Sequence, residues 1–302
     1  MSNNNVLKGV ALVGLGATSY GMLATFVKLA YQEHYTTAEV TTAQFVLGIT
    51  GILLINLFQK NKNNKRSGVV KATTRNVFQL MLAGSSLGMT SVFYYLAVRY
   101  IPVSIGIVLL MQTVWMGVLL EWVLDKKAPS IQKIISVFIV LVGTALATNL
   151  MAKELDLDWR GILWGLLAAG SFTTTMFTAN RVALGISSAQ RSLYMLLGGA
   201  VIVFSFALFT QVTPFHFSIF GKWGLILALF GTIIPPMLMN SGFPHTGIGL
   251  GSIVSSLELP VSVMMAYVIL DETVVLSQWI GILLIILAIV IMNVNFTMFK
   301  RK

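Results

Sequence analysis

Apolar residues in this chain run on for about 20 positions at a time and are cut by short polar breaks. Windows between the breaks fall at roughly 8–28, 39–58, 76–98, 102–124, 131–150, 160–180, 189–210, 223–243, 247–270 and 276–298. An α-helix needs about 20 apolar residues to cross the hydrocarbon of a bilayer, and it alone satisfies its backbone polar groups within one segment. The pattern therefore predicts ten transmembrane helices with short connections. The longest connection, around 59–75, carries Lys60, Lys62, Lys65, Arg66, Lys71 and Arg75.

Composition points the same way. Of 302 residues, 56% are hydrophobic and 10% charged, with a mean hydropathy of +0.85. A soluble domain carries about a quarter of its residues as charges. The chain is read as an all-α integral membrane protein, with the lipid bilayer as one partner. The net charge of +10 matters by position rather than by sum and does not point to nucleic acid. With the 59–75 loop in the cytoplasm, Lys8, Lys126, Lys127, Lys133, Arg181, Arg191, Lys300, Arg301 and Lys302 also fall inside. Only Lys28, Arg99, Lys153, Arg160 and Lys222 fall outside, where Glu33, Glu39, Glu154, Asp156, Asp158, Asp271 and Glu272 cluster. The positive-inside rule then places both termini in the cytoplasm. No cysteine is present, which removes disulfides and thiolate metal sites. The first apolar stretch is long and many more follow it, so a cleaved signal peptide is not expected.

The chain also matches itself. Gly9-Val10-Ala11-Leu12 and Ala17-Thr18-Ser19-Tyr20 correspond to Gly161-Ile162-Leu163-Trp164 and Ala169-Gly170-Ser171-Phe172. Later in each half, Leu124-Asp125 and Gln132 correspond to Leu270-Asp271 and Gln278, and the same offset sets Gln112 opposite Glu258. Two five-span units are expected, at 1–150 and 151–302. Five is odd, so the second unit enters the membrane inverted. Asp125-Lys126-Lys127 inside and Asp271-Glu272-Thr273 outside agree with that inversion. Inverted repeats are a recurring architecture of secondary transporters, although duplication has also built channels.

These residues carry a resemblance. Tyr95-Leu96-Ala97-Val98-Arg99-Tyr100-Ile101-Pro102, Leu257-Glu258-Leu259-Pro260, and Leu270-Asp271-Glu272 followed by Gln278-Trp279-Ile280-Gly281 resemble the EamA repeat of the drug/metabolite transporter superfamily. Val114 stands where the first repeat often has proline, and Lys126 where an acid is common. The resemblance covers nearly the whole chain in two copies. It implies a ten-helix inner-membrane carrier, commonly an exporter of amino acids or other small metabolites. It also implies alternating access by two four-helix halves, with the fifth and tenth helices more peripheral.

A mid-membrane acid is costly and normally faces a bundle interior or a water-filled cavity, so Glu258 is expected to point inward, with Gln112 across the pseudo-symmetric centre. Three readings of Glu258 stand: a structural partner of freed backbone or of Ser255 and Ser256, a proton-coupling group, or a counter-ion for an amine. Pro260 should release a carbonyl near Ser256. Pro235 and Pro236 interrupt the eighth span, and Gly84 and Gly88 lie in the corresponding third span. Paired interruptions of this kind mark transporter binding sites. The remaining substrate or coupling candidates are Trp115, on the face of Gln112, with Tyr20, Gln44, Tyr94, Tyr95, Tyr194 and Asn240.

No Walker-type loop, no metal-ligand spacing and no mid-span serine with a histidine or lysine partner is present, so no catalytic residue, cofactor or metal is expected. The reading is a secondary transporter of a small amphipathic metabolite, amino-acid-like, moving outward across a bacterial inner membrane. A carrier for a drug-like cation or for a lipid-linked or nucleotide-derived precursor, and a passive channel, are the alternatives. Oligomeric state stays open, a monomer being compatible with the pattern.

Overall fold

The computed structural model describes residues 3–63, 72–101, 103–149 and 158–293. Lys65, Arg66, Lys71, Pro102, Lys153, Glu154, Asp156 and the basic stretch 300–302 lie outside them. Among the described residues the chain is helical throughout. The helices are α1 (Asn3–Gln32), α2 (Thr37–Asn63), α3 (Thr74–Val98), α4 (Val103–Leu110), α5 (Thr113–Asp125), α6 (Ile131–Ala147), α7 (Trp159–Arg181) and α8 (Ser188–Thr210). After them come α9 (Leu225–Ala228), α10 (Ile234–Ser255), α11 (Glu258–Ile269) and α12 (Leu276–Asn293), and π-helical turns at Phe220–Gly224 and Leu229–Ile233 flank α9.

These elements make ten crossings. The fourth span is α4 with α5. The 50-residue stretch Phe220–Ile269 is too long for one crossing, and it turns at Gly247, whose φ of 77° only glycine adopts freely. Contacts with α1 show the reversal. Gly9 faces Gly242 and His245 while Gly16 faces Met239 and Pro235, so α1 and the eighth span run antiparallel. Gly14 faces Val254 and Gly21 faces Val261, so α1 and the ninth span run parallel. The fifth and tenth spans are single helices shorter than the other single-helix spans, at Ile131–Ala147 and Leu276–Met292.

The same arrangement recurs with the halves exchanged. Helix α7 opens the second repeat and lies against the third and fourth spans of the first. Gly161 meets Ala97, Thr175 Oγ1 meets Ser86 Oγ at 2.8 Å, and Thr173 Oγ1 meets Thr113 Oγ1 at 2.8 Å. The opening helix of each repeat thus packs between the third and fourth spans of the other. The second and seventh spans pair directly, through Phe45, Ile52, Leu196 and Val203 and an Asn56 Nδ2 bond to the Ala189 carbonyl at 3.0 Å. The fifth and tenth pair antiparallel, with Gln278 Nε2 on the Ala147 carbonyl (3.0 Å) and Ser136 Oγ on the Ala288 carbonyl (3.2 Å). These are the pairings that an in-plane twofold demands.

Close approach between helices relies on glycine, since in lipid there is little hydrophobic gain from pairing helices and packing dominates. A Cβ on Gly198 would overlap the Met81 carbonyl, and one on Gly84 the Met195 backbone, so α3 and α8 touch backbone to backbone.

At the end of the bundle where α1 finishes, side chains tie one repeat to the other. Thr36 and Glu39 form a reciprocal capping box at the start of α2, with Thr36 N–H donating to Glu39 Oε2 at 2.7 Å and Glu39 N–H to Thr36 Oγ1 at 3.2 Å. The other carboxylate oxygen accepts the His216 backbone N–H at 2.7 Å, and His216 Nδ1 lies 2.9 Å from it. Lys222 pairs with Glu33 (3.1 Å), Lys28 pairs with Glu272, and Tyr35 hydroxyl meets Ser218 Oγ at 2.9 Å. At the other end Arg181 pairs with Asp125.

Candidate functional site: two broken spans and an inter-repeat cavity

The fourth and ninth spans break at matching places. In the fourth, the Gln112 N–H turns to the Leu109 carbonyl (3.1 Å) and the Val114 N–H to Met111 (3.1 Å), a tighter 3₁₀ pattern. This releases the Val108 carbonyl, and the Gln112 side chain takes it through Nε2 at 2.9 Å. Gln112 Oε1 accepts Trp115 Nε1 at 2.9 Å. Both candidates are therefore bonded within their own span. Trp115 is 37% exposed on the stripe that carries Leu119, Trp122 and Val123.

In the ninth span the Ser256 and Leu257 N–H groups turn to Ile253 (3.2 Å) and Val254 (3.1 Å). Pro260 offers no N–H to the Ser256 carbonyl, as the sequence indicates, and the Leu259 N–H takes that carbonyl at 3.2 Å. Ser255 and Ser256 hydroxyls bond back to Gly251 (2.9 Å) and Ile253 (2.6 Å). Neither serves Glu258, whose half-buried carboxylate starts α11 and has no hydrogen bond or ion pair among the described residues. The two broken spans meet where Ser252 Oγ donates to the Val114 carbonyl at 3.1 Å, with Gly117 facing Ser252.

Tyrosines gather around Glu258. Its carboxylate lies within electrostatic reach of Tyr20 on α1 and Tyr94 on α3. Tyr94 packs edge-on against Tyr95, with ring centroids 6.1 Å apart, and Tyr95 meets Tyr31 of α1. Gly21 lets this cluster close, because a Cβ there would overlap the Glu258 carbonyl. Tyr31 was not among the sequence candidates; its place near the end of α1 gave no signal.

Tyr20 also lines a cavity between the repeats, with Thr175, Phe172, Met176 and Asn240. Its ring meets Phe172 edge-on at 6.4 Å. Asn240 is 3% exposed and donates through Nδ2 to Ser192 Oγ at 2.8 Å. Pro235 and Pro236 stand where the second π-turn passes into α10. Upstream, Ser19 Oγ donates to the Phe230 carbonyl (3.0 Å) and Thr232 Oγ1 to the Gln44 carbonyl (3.0 Å), holding the second π-turn to α1 and α2. The Gln44 amide packs on Gly231 in that turn. Tyr194 lies elsewhere, in a satellite cluster with Leu80, Ile186 and Met195.

The structure thus brings together Glu258, Tyr20, Tyr94 and Tyr95, joins Asn240 to them through the cavity, and leaves Gln112, Trp115, Gln44 and Tyr194 apart. Sequence reasoning missed two further residues. Arg191, counted there as a cytoplasmic charge, is 2% exposed and donates to four backbone carbonyls. Three close the end of α7, at Thr178 (2.9 Å), Ala179 (2.6 Å) and Val182 (3.0 Å), and the fourth is Asn240 (2.7 Å). Pro244 is the signal that was there to read, since it leaves the Asn240 carbonyl without its helical donor. Glu121, also passed over, pairs with Lys133 beside Gly247 and Gly249.

Among curated proteins none matches this chain. A solved structure described as "Crystal structure of protein" is similar to it, with a TM-score of 0.76 at 13% identity over 99% of each chain. At that identity the likeness shows the fold alone. The sequence matches the EamA-like transporter family twice, over residues 7–149 and 159–294. The two matches take one half of the chain each, in keeping with the repeated arrangement of spans, and the chain belongs to the EamA-like transporter family.

Proposed function

We propose that this transporter exports a small amphipathic, amine-bearing metabolite of amino-acid-like character by alternating access, with Glu258 as counter-ion for the amine. The observation that carries the reading is the carboxylate of Glu258, unpartnered among the described residues and within electrostatic reach of Tyr20 and Tyr94. An intramembrane acid without a protein partner marks a solute or ion pathway. The serine partners that a structural role would use are bonded to their own helix instead. The excess of Lys and Arg at one end of the spans supports a bacterial inner-membrane orientation with both termini cytoplasmic, and the offset between matching residues supports a repeat boundary near 150/151.

The test is uptake into liposomes holding the purified protein, with labelled amines and their neutral analogues of equal size, for the native chain and Glu258→Gln. Saturable uptake with counterflow, favouring amines and reduced roughly 100-fold by the Gln substitution, is the expected result. Equal uptake by both proteins would overturn the counter-ion role. Repeating the assay under an imposed pH gradient separates a carboxylate that also carries a proton from one that only pairs with solute.

A further inference from the structure

On the outer face of the seam between α3 and α7 lies a second recess, of about 460 Å³. Small side chains make it, with Ala83, Ser85 and Ser86 of α3 facing Gly170, Ser171 and Thr174 of α7. Both helices are membrane spans, and these residues fall near the middle of each. Gly84 and Gly198 are glycines because a Cβ would overlap backbone, whereas a Cβ on Gly170 would meet nothing within 4 Å. Gly170 therefore answers no packing need among the described residues. One turn further along the seam Phe93 and Trp164 stack with ring centroids 5.4 Å apart, and the recess ends against them.

A void at mid-membrane depth leaves its walls without dispersion contacts, so it is filled from the bilayer. The filling has to be apolar. Of the four hydroxyls in the lining, Ser85 donates to the Leu82 carbonyl (2.6 Å), Ser86 to Ala83 (2.6 Å) and Thr174 to Gly170 (3.0 Å). A docked helix fits poorly, because it is about 10 Å across and the recess runs for only about two turns before the aromatic stack stops it. An acyl chain is narrower and can end there.

The face of α3 that carries the recess also carries a charge. Arg75, Phe78, Leu82, Ser86 and Met89 recur every three or four residues and so share one face. Arg75 is exposed at the start of the span, with no ion pair among the described residues. Along the helix the recess begins about 10 Å from Arg75 and ends about 20 Å from it. Half of a bilayer's hydrocarbon core is about 15 Å, so a chain whose phosphate sits at Arg75 ends inside the recess. We infer that this face is a phospholipid site, with the phosphate on Arg75, one acyl chain along Phe78 and Leu82, and the end of that chain beside Gly170.

Native mass spectrometry of the purified protein in detergent tests this, with dioleoyl phosphatidylglycerol and its dihexanoyl form as probes. One long-chain lipid should be retained per protein, and the short form, which cannot reach the recess, should bind about tenfold more weakly. Gly170→Leu fills the recess with a side chain that no neighbour blocks. It should cut retention of the long-chain lipid about tenfold, with the short form and thermal unfolding in lipid-free detergent unchanged. Arg75→Gln should weaken both lipids about fivefold. Equal binding of the two chain lengths, or long-chain retention that survives either substitution intact, overturns the inference. A dimer in the native spectrum that Gly170→Leu abolishes also overturns it, since the face would then be a contact between copies. If Gly170→Leu does not fold, the two chain lengths on the native and Arg75→Gln proteins still decide the matter.

Discussion

The fourth and ninth spans are broken at equivalent places, yet one break is repaired and the other is not. In the fourth, Gln112 returns its own amide to the carbonyl that the break releases, and Trp115 closes the remaining acceptor. In the ninth, backbone and serine hydroxyls repair the break unaided and Glu258 is left over. Duplication supplies the bend twice; the difference lies in what the side chain at the bend still has free. A residue consumed by its own helix stabilises that helix, and one its helix does not use keeps its hydrogen-bonding capacity, which is what the proposed counter-ion role draws on.

The largest test of this contrast is Glu258→Gln, which makes the ninth break resemble the fourth. It should cost amine transport roughly 100-fold, while the melting temperature of the purified protein holds or rises, because an unpaired intramembrane acid is costly. A fall in stability parallel to the fall in transport would return Glu258 to a structural role. Next comes Gly21→Ala, which puts a methyl group against the Glu258 carbonyl. Overpacking there should cost about 1–3 kcal/mol and slow transport, read by thermal unfolding and initial uptake rates. Gln112→Leu should cost about 1 kcal/mol by freeing the Val108 carbonyl, with amine selectivity unchanged. A change of selectivity in that variant would mean that the fourth break also reads the solute. Trp115→Phe is the smallest, within about 0.5 kcal/mol and with little effect on flux, as expected of an exposed side chain.

Much of the architecture was legible in the chain because bilayer thickness imposes span length. The self-match between halves was enough to find the inversion. The position of Glu258 in a proline-broken span was legible for the same reason, as a charge at mid-membrane depth has few tolerable settings. What was not legible is which polar groups remain free. Gln112 and Glu258 are equivalent by offset, but only hydrogen-bond geometry separates the satisfied amide from the unsatisfied acid. Arg191 reads as a loop charge near a span end, and its role depends on the ends of α7 and α10 meeting there. Glu121 was overlooked because its partner Lys133 lies across the turn between α5 and α6.

The eighth span carries its two π-turns where its counterpart, the third, is an uninterrupted α-helix. Each π-turn holds one residue more than the α-turn it replaces. That surplus is slack in the winding. Tightening either turn to α geometry would rotate everything beyond it by about 100° and shift it by about 1.5 Å along the axis. Asn240 lies beyond both turns, so the same surplus sets the heading of its side chain. The eighth span thus stores two residues of surplus winding, and the third, an unbroken α-helix, stores none.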